Sequence, residues 1–267
     1  MISLMELLKE VQGKPKAIIL AGAPGAGKGH VLKGLDLGGL EIFNLDNTYI
    51  ELLKQANVSL DLKTADAEAR SKAAKAMAAA TAKLKKEQIP TAILNKESFI
   101  LDGTAASYKQ TSELKSELED AGYDVFMLYV YTDLERSLKQ NQDRFEKSGG
   151  EDRSLAPAIV LRTWIDVTKN YFPYKELFKD NFVSVANTLE GEKLSDIQDV
   201  IKTYLVPFIP TDTKPKDEKA KARSEKQKAA MEADAQSLLK DEAVADIINS
   251  SVSKEEAQSK IQSFLSK

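Results

Sequence analysis

Residues 22 to 29 read Gly22-Ala23-Pro24-Gly25-Ala26-Gly27-Lys28-Gly29, a glycine-rich run closed by a lysine, which is the pattern of a phosphate-binding loop. Glycines let successive backbone N–H groups turn inward around phosphate oxygens, and the lysine reaches the β and γ phosphates of a nucleoside triphosphate. The position after the lysine commonly carries a Ser or Thr whose hydroxyl binds magnesium; here it is Gly29, followed by His30. Magnesium is therefore expected to be held by phosphates, by water and, through water, by the carboxylate of Asp102. His30, the only histidine, reads as a first-turn helix residue beside the nucleotide.

Two carboxylates and two arginines complete the candidate chemistry. Asp46 closes a short apolar stretch where a phosphoryl acceptor would meet the γ phosphate, so its carboxylate could take the acceptor's hydroxyl proton; Asp46-Asn47-Thr48 also reads as a helix cap. Asp102 follows Ser98-Phe99-Ile100-Leu101 and either approaches magnesium or marks an Asp-Gly turn. Arg144 and Arg153 flank the loop containing Gly149-Gly150, where arginines on a mobile lid would stabilise charge during transfer; a solvated loop is the competing reading. Trp164, Tyr171 and Phe172 are expected on one helix, as core.

The elements that must carry these residues alternate. Apolar runs at 16 to 21, 41 to 45, 98 to 101, 124 to 130 and 182 to 185 read as strands. Helical patterns lie between them at 63 to 88, 108 to 121, 134 to 145, 156 to 171 and near 194 to 206, and the first residues, 1 to 10, also have helical spacing. Strands alternating with helices predict βαβ units and a mostly parallel sheet with its ligands at the carboxyl ends of the strands. The stretch 63 to 88 is rich in Ala, Lys and Glu, so its alanine stripe reads as helix packing. After Pro210 a mixed-charge stretch, 211 to 223, with no apolar content to bury reads as a linker. Beyond it Leu238, Leu239, Val244, Ile247 and Ile248 share a helical face, and Ser253 with Glu256 forms a capping box. That tail is expected to dock on the main domain or to meet a protein partner.

Composition narrows the function. The chain of 267 residues is 42% hydrophobic, enough for a full core, and 38 basic against 41 acidic side chains give a net charge of −3, with no overall bias toward nucleic acid or an anionic membrane. The absence of cysteine excludes disulfides, thiolate metal sites and cysteine nucleophiles. No apolar run approaches the roughly 20 residues of a membrane helix, and the start does not resemble a signal peptide. The expectation is a soluble, cytoplasmic protein without a membrane partner.

In order along the chain, the phosphate loop, Phe43-Asn44-Leu45-Asp46-Asn47-Thr48-Tyr49, Phe99-Ile100-Leu101-Asp102-Gly103-Thr104 and Arg153-Ser154-Leu155-Ala156-Pro157 resemble P-loop kinases related to zeta toxins and to the kinase domain of phage polynucleotide kinase. The overall pattern is similar to zeta-like kinases of tailed bacteriophages, which would place the protein in a host cytoplasm. This resemblance covers about residues 16 to 190. It implies a three-layer αβα P-loop NTPase fold, and with the composition change after Pro210 the chain divides into a kinase domain at 1 to 208, a charged linker at 209 to 225 and a C-terminal helical segment at 226 to 267. It further implies ATP and Mg2+ as cofactors, Lys28 as phosphate clamp, Asp46 as base or hydroxyl binder, and Arg144 and Arg153 as lid arginines.

The phosphoryl acceptor is then a hydroxyl on a small molecule or a nucleic-acid end. The Gly-Lys-Gly loop also resembles adenylate kinase, which keeps a nucleoside monophosphate kinase open, although Thr104 stands where those enzymes carry Phe-Pro-Arg after the Asp-Gly pair. A nucleotide-binding switch or assembly protein whose tail binds a partner is a third reading.

Overall fold

The structure is a computed structural model, and it describes residues 13–37, 39–62, 65–153, 155–188, 200, 218–240 and 242–267. In chain order the elements are β1 (Lys16–Ala21), α1 (Lys28–Leu32), β2 (Glu41–Asn44), α2 (Leu45–Gln55), α3 (Ala67–Lys83), a π-helical turn (Leu84–Gln88), α4 (Ile89–Asn95), β3 (Phe99–Asp102) and α5 (Tyr108–Asp120). They continue with β4 (Asp124–Thr132), α6 (Leu134–Lys147), α7 (Pro157–Lys169), α8 (Tyr171–Phe178), a 3-10 turn (Lys179–Asn181), β5 (Phe182–Asn187), α9 (Glu218–Lys240), α10 (Glu242–Ser250) and α11 (Lys254–Leu265). The readings at residues 1 to 10 and near 194 to 206 lie outside the described residues, apart from Val200.

The strands form one parallel sheet in the order β2-β3-β1-β4-β5. Every residue of β1 is buried, as its unbroken apolar run requires of a strand covered on both faces. Because the chain leaves β1 for β2 at one edge and later adds β4 on β1's other side, a crevice opens at the carboxyl end of β1. Alternate side chains divide the core in two. Ala17, Ile19, Met127, Tyr129 and Tyr131 face α5, α7, α8 and the pair α9 and α10, meeting Leu118, Trp164, Tyr171, Leu238 and Ile247. Ile18, Leu20, Phe126, Leu128, Val130 and Val185 face α1 and α11, meeting Val31, Leu32, Ala257, Ile261 and Phe264. Helices thus cover both faces of the sheet.

A separate apolar cluster joins α2 to α3 through Tyr49, Leu53, Ala73, Ala76 and Ala80. The alanine stripe is therefore packing, and its small side chains let the two helices approach closely. The helical region expected at 63 to 88 extends to Asn95, since Pro90 falls at the start of α4, where its missing N–H costs nothing. The preceding turn widens to a π-turn in which the Ile89 amide reaches the Leu84 carbonyl. The helix expected at 156 to 171 breaks at Asn170, so Trp164 lies on α7 while Tyr171 and Phe172 lie on α8. Trp164 and Tyr171 are buried as expected, whereas Phe172 is 41% exposed, its ring set edge-on against Tyr171.

The C-terminal helices dock on this core. Part of the expected linker, 209 to 217, lies outside the described residues, but α9 already begins at Glu218. The charged residues there are strong helix formers, and no Gly or Pro interrupts them after Pro215. After α10 the chain turns round the sheet edge: the Val252 amide donates to the Ser184 carbonyl at 2.8 Å, and Val252 forms a parallel bridge with Val185. This contact covers part of the outer edge of β5. Ser253 then caps α11, accepting from the Glu256 amide at 3.1 Å. No helix among the described residues is long and apolar enough to cross a membrane.

Candidate active site

The loop between β1 and α1 takes its shape from bonds to its outer side. The Pro24 carbonyl accepts from Ser137 Oγ of α6 at 2.6 Å, and the Ala26 carbonyl accepts from Asn187 Nδ2 at the end of β5 at 2.9 Å. Within the loop the Ala26 amide donates back to the Ala23 carbonyl at 3.1 Å, closing a tight turn of the glycine-rich kind that phosphate cradles use. Two glycines are obligatory here. Gly22 has φ +151° and a Cβ on it would stand 2.6 Å from the Val130 carbonyl oxygen; Gly27 has φ +88° and its Cβ would stand 2.6 Å from Asn187 Nδ2. The cradle opens into a cavity of about 690 Å³ lined by Gly25, Lys28, Asn44, Asp46, Asp102 and Arg144 among others.

Lys28, half-buried, folds its ammonium back onto the loop, donating to the carbonyls of Gly22 at 3.1 Å and Ala23 at 3.4 Å. Burial holds its pKa below the ordinary lysine value, against the opposing pull of Asp102 and Asp46; Arg144 and Arg153 add to the lowering. Such an ammonium gains from an arriving phosphate. Asp102, last residue of β3, is shifted the other way. Burial pushes its carboxyl above the ordinary aspartate value and Asp46 adds to this, while Lys28, a hydrogen bond from Asn44 and the charge of Arg144 oppose it.

Asn44, at the end of β2, was not among the candidate residues. It pairs in register with Asp102 on the neighbouring strand. Its amide serves two ends at once: Oδ1 caps α2 by accepting from the Asn47 amide at 3.0 Å, and Nδ2 donates to Asp102 Oδ2 at 2.7 Å. The cap of α2 is thus Asn44, not Asp46-Asn47-Thr48, because β2 ends one residue earlier than its apolar pattern suggests. Asp46 sits instead in the first turn of α2, where the helix dipole favours a carboxylate.

Arg153 closes the site from the far side. Its Nη2 meets Asp46 Oδ1 at 2.5 Å, its guanidinium lies over the Tyr49 ring at 5.5 Å, and its side chain is only 9% exposed. Its Nη1 is buried without a hydrogen-bond partner. Arg144 is more exposed and pairs through Nε with Asp152 Oδ2 at 2.9 Å, while Asp152 Oδ1 accepts from the Arg153 amide at 2.7 Å. The loop carrying Arg153 is anchored to α6: Asn141 donates to the Leu155 carbonyl at 2.9 Å and accepts from the Leu155 amide at 3.0 Å. Of the two arginines expected on a lid, Arg153 is thus held by contacts to Asp46 and by the anchored loop that follows it, while Arg144 is held through Asp152.

The structure brings Lys28, Asp46, Asp102 and Arg144 to one crevice, Asp102 from the end of β3 and Asp46 from the first turn of α2, and Arg153 joins them through Asp46. His30 stands exposed in α1, with Nε2 3.4 Å from Lys254 Nζ. Gly29 leaves open space, with nothing within 4 Å of where a Cβ would lie. Among the described residues no group of three or more Asp, Glu or His side chains is placed to hold a metal.

A family model for the zeta toxin matches residues 4–179. The chain belongs to the zeta toxin family. Among solved structures, that of the native AvrRxo1-ORF1:-ORF2 complex is similar in fold, with a TM-score of 0.51 at 16% identity, over 90% of this chain and 79% of that one. The same complex with ATP is similar with a TM-score of 0.49 at 16% identity, over 93% of this chain and 85% of that one. A component of the PezAT chromosomal toxin-antitoxin system of Streptococcus pneumoniae is similar with a TM-score of 0.43 at 19% identity, over 73% and 78% of the two chains. A comparison with curated proteins finds no match.

Proposed function

We propose that this zeta toxin family member is a kinase that moves the γ-phosphoryl group of ATP to a hydroxyl acceptor. The observation that carries the reading is the convergence of Lys28, Asp46, Asp102 and Arg153 around the phosphate loop at the carboxyl ends of β1, β2 and β3. Lys28 and the loop amides hold the phosphates, and the arginines face the charge that develops on the transferring group. The acceptor enters from the α2 side, where Asn47, Ile50 and Glu51 line the cavity.

In the transfer step the acceptor O–H gives its proton to the Asp46 carboxylate as its oxygen bonds to the γ phosphorus. The bond from that phosphorus to the β–γ bridging oxygen breaks, releasing ADP. Asp46 is engaged by Arg153 through Nη2. The γ phosphate, with more charge and the buried Nη1 still unpartnered, draws the guanidinium and frees the carboxylate for the hydroxyl.

Magnesium suits this donor set. Gly29 supplies no hydroxyl, but Asp102 is a carboxylate whose ionisation is opposed by burial, and a cation beside it offsets that cost. Asp102 would hold the ion through water, oriented by Asn44, and the ion would neutralise charge on the phosphates. Incubation with [γ-32P]ATP and a panel of sugar nucleotides, nucleosides and 5′-hydroxyl ends should label one acceptor class; label released only as inorganic phosphate would overturn the assignment.

A further inference from the structure

We infer that the C-terminal helix is a working part of the nucleotide site, with Gln258 and Gln262 acting as positioning residues that hold the phosphate loop through the far end of α1. The inference rests on reading residues 22 to 30 as that site. Its starting point is the length of α1, which has only five residues. A helix so short cannot hold itself, and its last carbonyls have no partners within it. Yet the position of α1 fixes where the amides of the preceding loop stand.

The missing turns are replaced by α11. Gln258 Nε2 donates to the carbonyls of Val31 at 2.8 Å and Lys33 at 3.2 Å, using both hydrogens of one amide. One turn further on, Gln262 Nε2 donates to the Asp36 carbonyl at 2.6 Å. Beside this polar row, Ala257, Ile261 and Phe264 pack in the same core cluster as Val31 and Leu32. Helix α11 is itself anchored away from α1. Phe264 stacks on Phe126 with centroids 5.0 Å apart, and the Val252 amide is tied to Ser184 on β5. Since Asn187 of β5 also holds the Ala26 carbonyl, the loop is gripped from both ends by groups referred to one strand. A contact made with α11 would therefore be felt at the phosphates.

The test uses the full chain and N-methylanthraniloyl-ATP, read by fluorescence titration. Gln258→Met keeps the length and neutrality of the side chain but removes its donors, and it should weaken binding about fivefold to tenfold, the worth of one or two hydrogen bonds. Hydrogen exchange of the amides from Gly25 to Lys33 should quicken in this variant while that of β1 and β4 stays unchanged. Leu118→Ala separates positioning from general stability: it should lower Tm yet leave the affinity of the folded protein within about twofold, because Leu118 is buried in the other core cluster and touches neither α1 nor α11. Gln262→Met serves the same test should Gln258→Met fail to fold. Unchanged affinity in the glutamine variants, or affinity losses that track Tm in all variants alike, would overturn the inference. Wild-type protein that binds no probe would instead contradict the nucleotide site itself.

Discussion

At the scale of single residues, Arg153 carries two duties that Lys could not share. It grips Asp46 through one nitrogen while keeping a second buried nitrogen free, and its flat guanidinium lies on Tyr49. Lysine would supply the charge without the fork or the stacking surface. Arg153→Lys should therefore cost about 10- to 100-fold in kcat/KM while leaving the fold intact, as measured by steady-state kinetics beside a thermal melt. Lys28 was legible in the sequence from the glycine-rich run it closes, and Asp46 and Asp102 from the apolar strand patterns that lead to them. Asn44 was not. Its local signal is that of any helix cap, and its second bond, to Asp102, exists only because β2 and β3 pair in a register that no local pattern reveals. The Asp46 to Arg153 pairing likewise spans 107 positions.

At the scale of elements, the phosphate loop is shaped by neighbours that arrive late in the chain. Ser137 on α6 and Asn187 on β5 fix its outward carbonyls. Gly27→Ala should force the Asn187 amide away and strain a positive φ, with a cost of about 1–3 kcal/mol and a loss of nucleotide binding larger than the loss of fold. Denaturant unfolding and nucleotide titration of the variant check both. The strands were readable from their apolar runs, since a parallel strand buried on two faces has no polar alternation to confuse the pattern. Boundaries were less so. The break between α7 and α8 at Asn170 is set by long-range bonds, including Asn170 Nδ2 to the Ala106 carbonyl at 2.8 Å and Tyr174 Oη to the Ala105 carbonyl at 2.6 Å, which helical periodicity does not encode.

At the scale of the whole molecule, the family match ends at residue 179, yet β5 and α11, which hold the loop and one face of the sheet, lie beyond it. The apolar face of α11 is spent on the core, so a partner meeting this helix would find its polar side. The sequence shows that the tail is amphipathic; the surface it covers depends on the sheet face left open by so short an α1. One surface link ties this arrangement to pH. Lys16 bonds Asp124 at 2.7 Å and lies 5.1 Å over the ring of Phe264, and that hydrogen bond holds the Asp124 carboxyl below its ordinary value near 3.8. A depressed folded pKa adds stability that is present above the unfolded value and is lost as pH falls through the folded one. Wild type should therefore exceed Asp124→Asn in stability at neutral pH, with the gap closing below about pH 4, as followed by denaturant unfolding across that range.

The proposed chemistry turns on Asp46, which belongs to all three scales: a carboxylate, the first turn of α2, and the closing contact with a distant loop. The direct test compares wild type with Asp46→Asn in [γ-32P]ATP transfer to the acceptor found by the panel, with nucleotide binding measured on the same samples. The account predicts unchanged nucleotide affinity within about twofold and a fall in transfer rate of about 10²–10⁴-fold, the loss expected for removing a general base. Transfer by Asp46→Asn at the wild-type rate would contradict it.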